Sequence, residues 1–408
     1  MFDLLGFSSI LIVCFFAFIV AVRFPFLSNI IFVALLIRVF FLILGQFYFN
    51  LPDSTGDAET YEKLAWKMAQ GGFFNLADYY VGPQARFITL VIAIPYSLFG
   101  RSILMAKSLS LFFGLASIFV GYFLAKKLWN DHTAKKVGWI MALFPSLVLY
   151  SVLIMREMYV CFFLLVALYG VVSWSKKANF KSILIGMAGF TAATFFHGGM
   201  IIGAMVFLIF IGFVSTKQIL KSLLNLKINI KLIFLVLIFF SSLGYYVSGK
   251  VRIPYLGNFE TLTKSKVILR KTKFSTAGEA SYPKWTIANS TIELFYKVPV
   301  RSIYFIFAPF PWDIKKLSHL IGMFDALFYI YFVYLIMKNL KTIWNDPSLR
   351  LILIILLAYI IVFSVAVGNF GTSIRHRSKF TSVFLLLAAP FVKSLILSKN
   401  KKFKNHKI

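Results

Sequence analysis

The chain has 408 residues, is 60% hydrophobic and holds 48 Phe, while only 14% of its residues are charged. A soluble domain has no interior large enough to hide that much apolar surface, so the composition points to a membrane protein. The 43 Lys+Arg against 14 Asp+Glu give a net charge of +29. That excess lies mostly in short clusters between apolar runs, as flanks of membrane spans do, and no RNA- or DNA-binding module accompanies it, so nucleic acid is not read as a partner.

About eleven apolar runs reach the roughly 17–25 residues that cross a bilayer. They lie near 4–22, 28–49, 103–125, 136–154, 157–174, 181–196, 199–215, 232–248, 318–337, 350–368 and 379–395. The first run lacks the basic start and small-residue cleavage site of a signal peptide, and is read as a span. Cys14 and Cys161 fall inside spans and read as buried thiols, without disulfide or metal spacing. Lys126, Lys127, Lys135 and Lys136, then Lys176, Lys177 and Lys181, then Lys217, Lys221, Lys227 and Lys231, then Lys338, Lys341 and Arg350, mark the cytoplasmic face. The outer face then receives 50–102, the turns at 154–157 and 196–199, the loop 249–317 and the segment 368–378.

The expected fold is therefore an all-α polytopic membrane protein, one integral-membrane domain over 1–408 with a basic cytoplasmic tail at 396–408. The Pro-interrupted stretches 87–99 and 299–312 read as interfacial helices on the extracytoplasmic side. The loop 249–317 is basic, which suits either an anionic substrate or an ordinary solvated loop.

The first outer loop concentrates acid. Asp53, Asp57, Glu59 and Glu62 fall within ten residues. Asp57, Tyr61 and Ala65 are spaced i, i+4, i+8, so a helix starting near Thr55 sets them on one stripe. Ser54-x-x-Asp57 also fits a capping box, which would make Asp57 a helix cap. At the next outer turn Glu157 stands beside Arg156, as a local ion pair or as an acid that positions an acceptor or holds a divalent ion. His197 reads as a packed interfacial histidine. Asp325 lies within a span, where an ionisable group is a functional candidate by default, with Arg301, His319 or a Tyr hydroxyl as its structural partner.

Between the last two spans runs Gly368-Asn-Phe-Gly-Thr-Ser-Ile-Arg-His-Arg-Ser-Lys379. Arg375 and Arg377 offer forked donors that match phosphate oxygens, and His376 and Lys379 lie beside them. Gly368 and Gly371 would let backbone approach a ligand. The alternative is that these cations only flank the last span and meet lipid headgroups.

The pattern Asp57-x-x-x-Tyr61-x-x-x-Ala65 just after an early span resembles the first outer loop of the GT-C glycosyltransferases, in the branch of protein O-mannosyltransferases and the lipid A aminoarabinose transferase. That family usually carries Asp-Glu at the start of the motif; here Ala58 takes the second position and Glu59 follows. Leu98-Phe99-Gly100-Arg101-Ser102, the span closed by Leu124-Ala125-Lys126-Lys127-Leu128, and the Arg156-Glu157 corner are similar too. The likeness covers 28–175 well and the second half loosely, with the run 4–22 as an addition.

The resemblance implies a GT-C-like fold and transfer of a sugar from a polyprenyl-phosphate donor to an extracytoplasmic glycan, lipid or protein acceptor with inversion. It implies a bacterial inner membrane with the site on the outer side. Asp57 would be the general base, Glu157 a supporting acid, and Arg375 and Arg377 the phosphate clamp, with Tyr61, Arg156, His376 and Lys379 around the substrate. A divalent cation on Asp57 and Glu157 stays open, as do two other functions: a polysaccharide polymerase using polyprenyl-diphosphate-linked repeats, and a transporter of lipid-linked sugar.

Overall fold

A computed structural model describes residues 3–78, 85–224, 280–314 and 317–393, with the single positions 241 and 269. The apolar run 232–248, the basic residues Lys250 to Lys273 and the tail 396–408 lie outside the described residues, apart from position 241. Of the described residues, 83% are helical. The described residues contain no strand, only an isolated bridge between Ser281 and Asn369.

Helices α1 (Leu4–Arg23) and α2 (Pro25–Phe47) form a hairpin with one residue between them. Pro25 explains the tightness. It has no N–H to continue α1, and its fixed φ suits the first position of α2. Asp3 caps α1 by accepting from the Gly6 amide at 2.9 Å, and its other oxygen accepts from Ser102 Oγ at 2.7 Å. Ser102 in turn caps α5 (Ile103–Leu128). One carboxylate thus fixes the starts of two helices.

The first outer loop forms α3 (Asp57–Ala69) and α4 (Ala85–Phe99), which pack on each other. Next come α6 (Asp131–Leu143), α7 (Pro145–Tyr150), α8 (Glu157–Lys176), α9 (Phe180–Phe196) and α10 (Ile201–Leu224). Small residues bring α8 and α9 almost into backbone contact. A Cβ on Gly170 would stand 2.2 Å from the Gly186 nitrogen, as expected where van der Waals packing joins helices in lipid. The second half holds α11 (Thr291–Phe307), α12 (Leu317–Lys338), α13 (Leu340–Asn345), α14 (Pro347–Ala366), α15 (Phe370–Ser378) and α16 (Thr381–Ala388).

Among the described residues six helices are long and apolar enough to cross a membrane: Leu4–Arg23, Pro25–Phe47, Ile103–Leu128, Glu157–Lys176, Gly198–Lys217 and Pro347–Ala366. The run 136–154 is not one helix. It breaks at Phe144–Pro145, because Pro145 has no N–H for the Met141 carbonyl. Arg38, wholly buried on α2, fills the gap. It donates to the carbonyls of Met141 at 3.1 Å and Ala142 at 2.7 Å, and to Ser151 Oγ at 3.2 Å. Irregular backbone at such depth survives only where the protein satisfies it. Replacing Arg38 by Met strands those carbonyls at about 1–3 kcal/mol each, so the melting temperature in detergent is expected to fall clearly.

The helix ends sort by charge. The Lys126–Asp131 ion pair at 2.8 Å, the bond from Lys127 to the Ser173 hydroxyl, that from Lys176 to the Lys127 carbonyl, and that from Lys136 to the Val392 carbonyl gather at one end of the bundle. The start of α8 and the ends of α2, α9 and α14 lie at the other, where the acidic loop and α15 meet.

Candidate functional site

The four acids of the first outer loop divide by task. Glu62 accepts from Arg101 Nε and Nη2, both at 2.8 Å, and from the Tyr96 hydroxyl at 3.1 Å, which ties α3 to α4 and the start of α5. Glu59 makes an exposed pair with Lys63, worth little. Asp53 and Asp57 face the centre of this end.

Asp57 is the first residue of α3. The helix begins two residues later than the expected start at Thr55, and its N-cap is Gly56 with φ +70°, with no side-chain cap. The Ser54 capping box does not form. Tyr61 and Ala65 are buried along the stripe, while the Asp57 side chain is 47% exposed. It accepts from Arg375 Nη1 at 2.6 Å across 318 residues of chain. Glu157, which starts α8 where a helix N-terminus favours an acid, stands 3.7 Å from Arg375 Nε and 3.3 Å from Lys379 Nζ. Arg375 and Lys379 are four apart, hence on one face of the turn that leaves α15. His376 Nδ1 contacts Lys379, and its ring packs edge-on to His197 at 5.0 Å.

Arg377 does not join this group. Two residues along a helix is about 200° of rotation, so Arg375 and Arg377 point to opposite sides. Arg377 is buried instead against Asp325 and the carbonyls of Ile306, Ala308 and Gly322. Asp325 thus has Arg377 as an ion-pair partner. Arg301 is taken up by the carbonyls of Thr286, Ser364, Val365 and Val367, the last three closing the C-terminus of α14. The side chain of Arg156, the N-cap of α8, makes no hydrogen bond or ion pair with the described residues, and its Nε is buried.

Sequence reasoning passed over Asp53 and Tyr150. Asp53 has φ +59°, a left-handed conformation that Asp tolerates better than most side chains. Its Oδ2 accepts from the Tyr150 hydroxyl at 2.7 Å. Burial pushes the Asp53 carboxyl up from its ordinary range, against the Tyr150 hydrogen bond and the Arg375 charge. Burial likewise raises the Tyr61 phenol. Asp53 and Tyr150 line an apolar cavity of about 600 Å³ between α2, α7, α12 and α15. Ile374, next to Arg375, also lines it, as do His319 and Asp325. The only signals for Asp53 and Tyr150 were membership of the acid quartet and nearness to the Pro145 break.

No group of three or more His, Cys, Asp or Glu gathers in metal-holding geometry among the described residues. The Arg375 guanidinium pairs with both Asp57 and Glu157.

Burial, then the charges of Lys379, Arg156 and Arg375 together with the facing imidazole, hold His197 and His376 well below the ordinary histidine range. The unfolded chain therefore binds more protons than the folded one below pH 6.5, and stability falls as pH falls. Stability in detergent is expected to fall between pH 7 and 5 by up to about 1.4 kcal/mol per pH unit for each histidine, read as a drop in melting temperature. His197→Gln/His376→Gln should flatten that slope.

No protein family model matches the chain, and comparison with curated proteins and with solved structures returns no match.

Proposed function

We propose that the chain is a bacterial inner-membrane glycosyltransferase of GT-C type. It would move a sugar from a polyprenyl-phosphate carrier to an extracytoplasmic acceptor hydroxyl with inversion. The observation that carries this reading is the contact of Asp57 with Arg375 beside Glu157. An apolar cavity lined by Asp53, which feels the charges of that cluster, and by Ile374, the chain neighbour of Arg375, lies close by, although Asp57, Arg375 and Glu157 do not themselves line it. A pocket that is mostly apolar with a few converging polar groups suits a lipid-linked ligand.

The chemistry follows from the charges. Asp57 takes the proton of the acceptor hydroxyl as that oxygen attacks the anomeric carbon. The bond from the anomeric carbon to the phosphate oxygen breaks, and polyprenyl phosphate leaves with the electron pair. One negative charge thereby moves from Asp57 to the phosphate. Arg375 is placed to follow it, exchanging a carboxylate that has become neutral for a phosphate that has gained charge. Glu157 holds the guanidinium from behind and is itself paired with Lys379.

The polymerase reading gives the chemistry to the loop 249–317 with Arg375 and Arg377 and makes Asp57 dispensable; of these, Arg377 is committed to Asp325, and much of the loop lies outside the described residues. The test is transfer by the purified chain in liposomes, given polyprenyl-phosphate hexoses and pentoses with glycan, lipid A and peptide acceptors. Product with inverted anomeric configuration supports the proposal. Activity only with diphosphate-linked repeats, or movement of the lipid across the bilayer without transfer, overturns it.

A further inference from the structure

We propose that Arg156 is the second arm of the phosphate seat, facing Arg375, and that this seat takes one phosphodiester and not a diphosphate. This deepens the reading of the site as one for a lipid-linked sugar phosphate and rests on it.

The cluster is incomplete as it stands. Glu157 is 1% exposed, yet neither of its oxygens accepts a hydrogen bond. Arg156 Nε and Arg375 Nε are buried and donate none. Buried polar atoms in folded proteins are nearly always hydrogen-bonded, so two donors and two acceptors without a hydrogen bond in one cluster call for an explanation beyond the ion pairs of Glu157 with Lys379 and Arg375. A ligand that brings acceptors to the guanidinium groups and a hydroxyl to the carboxylate supplies all of these partners. A sugar phosphate with an incoming alcohol does both.

The charge count sets the size of the ligand. Lys379 is matched by Glu157 and Arg375 by Asp57, while the Asp53 carboxylate is satisfied by Tyr150. Arg377 belongs to Asp325. Arg156 is the cation of the group with no carboxylate of its own. A sugar–phosphate–polyprenol carries a single negative charge. A diphosphate brings at least one more into a site already crowded by Asp53, Asp57 and Glu157, where like charges repel and, among the described residues, no further free cation is left. Arginine suits the task because its fork holds two phosphate oxygens at once.

The test is binding of glucosyl-phosphoryl-farnesol and of its diphosphate counterpart to the purified full chain in detergent. Wild type is expected to bind the monophosphate at least about tenfold more tightly than the diphosphate. Arg156→Gln should weaken the monophosphate by about tenfold or more, and Arg156→Lys by less. Arg23→Gln, an exposed charge change outside the cluster, should leave binding unchanged. Melting curves of each variant separate lost binding from lost folding, and Arg156→Lys carries the test if the Gln variant is unstable. Undiminished binding by a folded Arg156 variant, or equal affinity for the two ligands, overturns this inference alone. Failure of wild type to bind either ligand overturns it together with the reading it rests on.

Discussion

Asp57→Asn is expected to lower the rate of sugar transfer by about 10²–10⁴-fold while leaving donor binding intact or tighter. The two effects have opposite signs because Asp57 has two relationships. Toward the acceptor it is the base, and an amide cannot take the proton. Toward Arg375 it is a competitor, since the 2.6 Å contact must loosen before the guanidinium can turn to a phosphate. The neutral amide removes that competition. Saturation kinetics in donor, measured in liposomes, would show kcat collapsing while KM for the donor holds or falls. Arg375→Gln should behave differently and lose both. A variant Asp57→Asn that keeps its rate would remove Asp57 from the chemistry. Attention would then pass to Asp53, which lines the cavity and carries the strained backbone.

The helical, membrane-embedded character of the chain was legible because it rests on composition and on runs of apolar residues. Local chemistry set some ends where no run length would have placed them. Pro25 fuses two spans into a tight hairpin, and Pro145 breaks the run 136–154 into two short helices. What carries the second break is Arg38, which composition alone marks only as a charge in a span. Its partners lie more than a hundred residues away, beyond the reach of any local pattern.

The candidate site was legible in part for the same reason. The spacing from Asp57 to Tyr61 and Ala65 is helical and local, and the stripe forms. The meeting of Asp57, Glu157 and Arg375 followed from assigning three loops to one face. Arg375 and Arg377 were paired because they are close in sequence, and a helix separates residues two apart. The same geometry joins Arg375 with Lys379, which are four apart. Asp53 escaped notice because its role comes from a left-handed turn and a hydroxyl 97 residues away.

Arg377→Met is expected to cost about 3–5 kcal/mol of stability, seen as a large fall in melting temperature or loss of recoverable protein in detergent. Its guanidinium lies 3.2 Å from Asp325, donates to three carbonyls, and sits over the Tyr329 ring at 5.0 Å. All of this is buried, so removing the cation leaves a carboxylate with no counter-charge and the Ile306 and Ala308 carbonyls, at the end of α11, with no donor. Breaking one side of such a pair costs more than removing both. Asp325→Leu/Arg377→Met should therefore be more stable than Arg377→Met alone, though still below wild type because the carbonyls of Ile306 and Ala308 remain unmet. Arg377→Lys should fall between, since one ammonium cannot span a carboxylate and three carbonyls. A phosphate-binding Arg377 predicts the reverse pattern: a stable Met variant that loses only donor affinity, and no gain from the second substitution. The two patterns separate a cation that holds α11, α12 and α15 together from one that meets substrate.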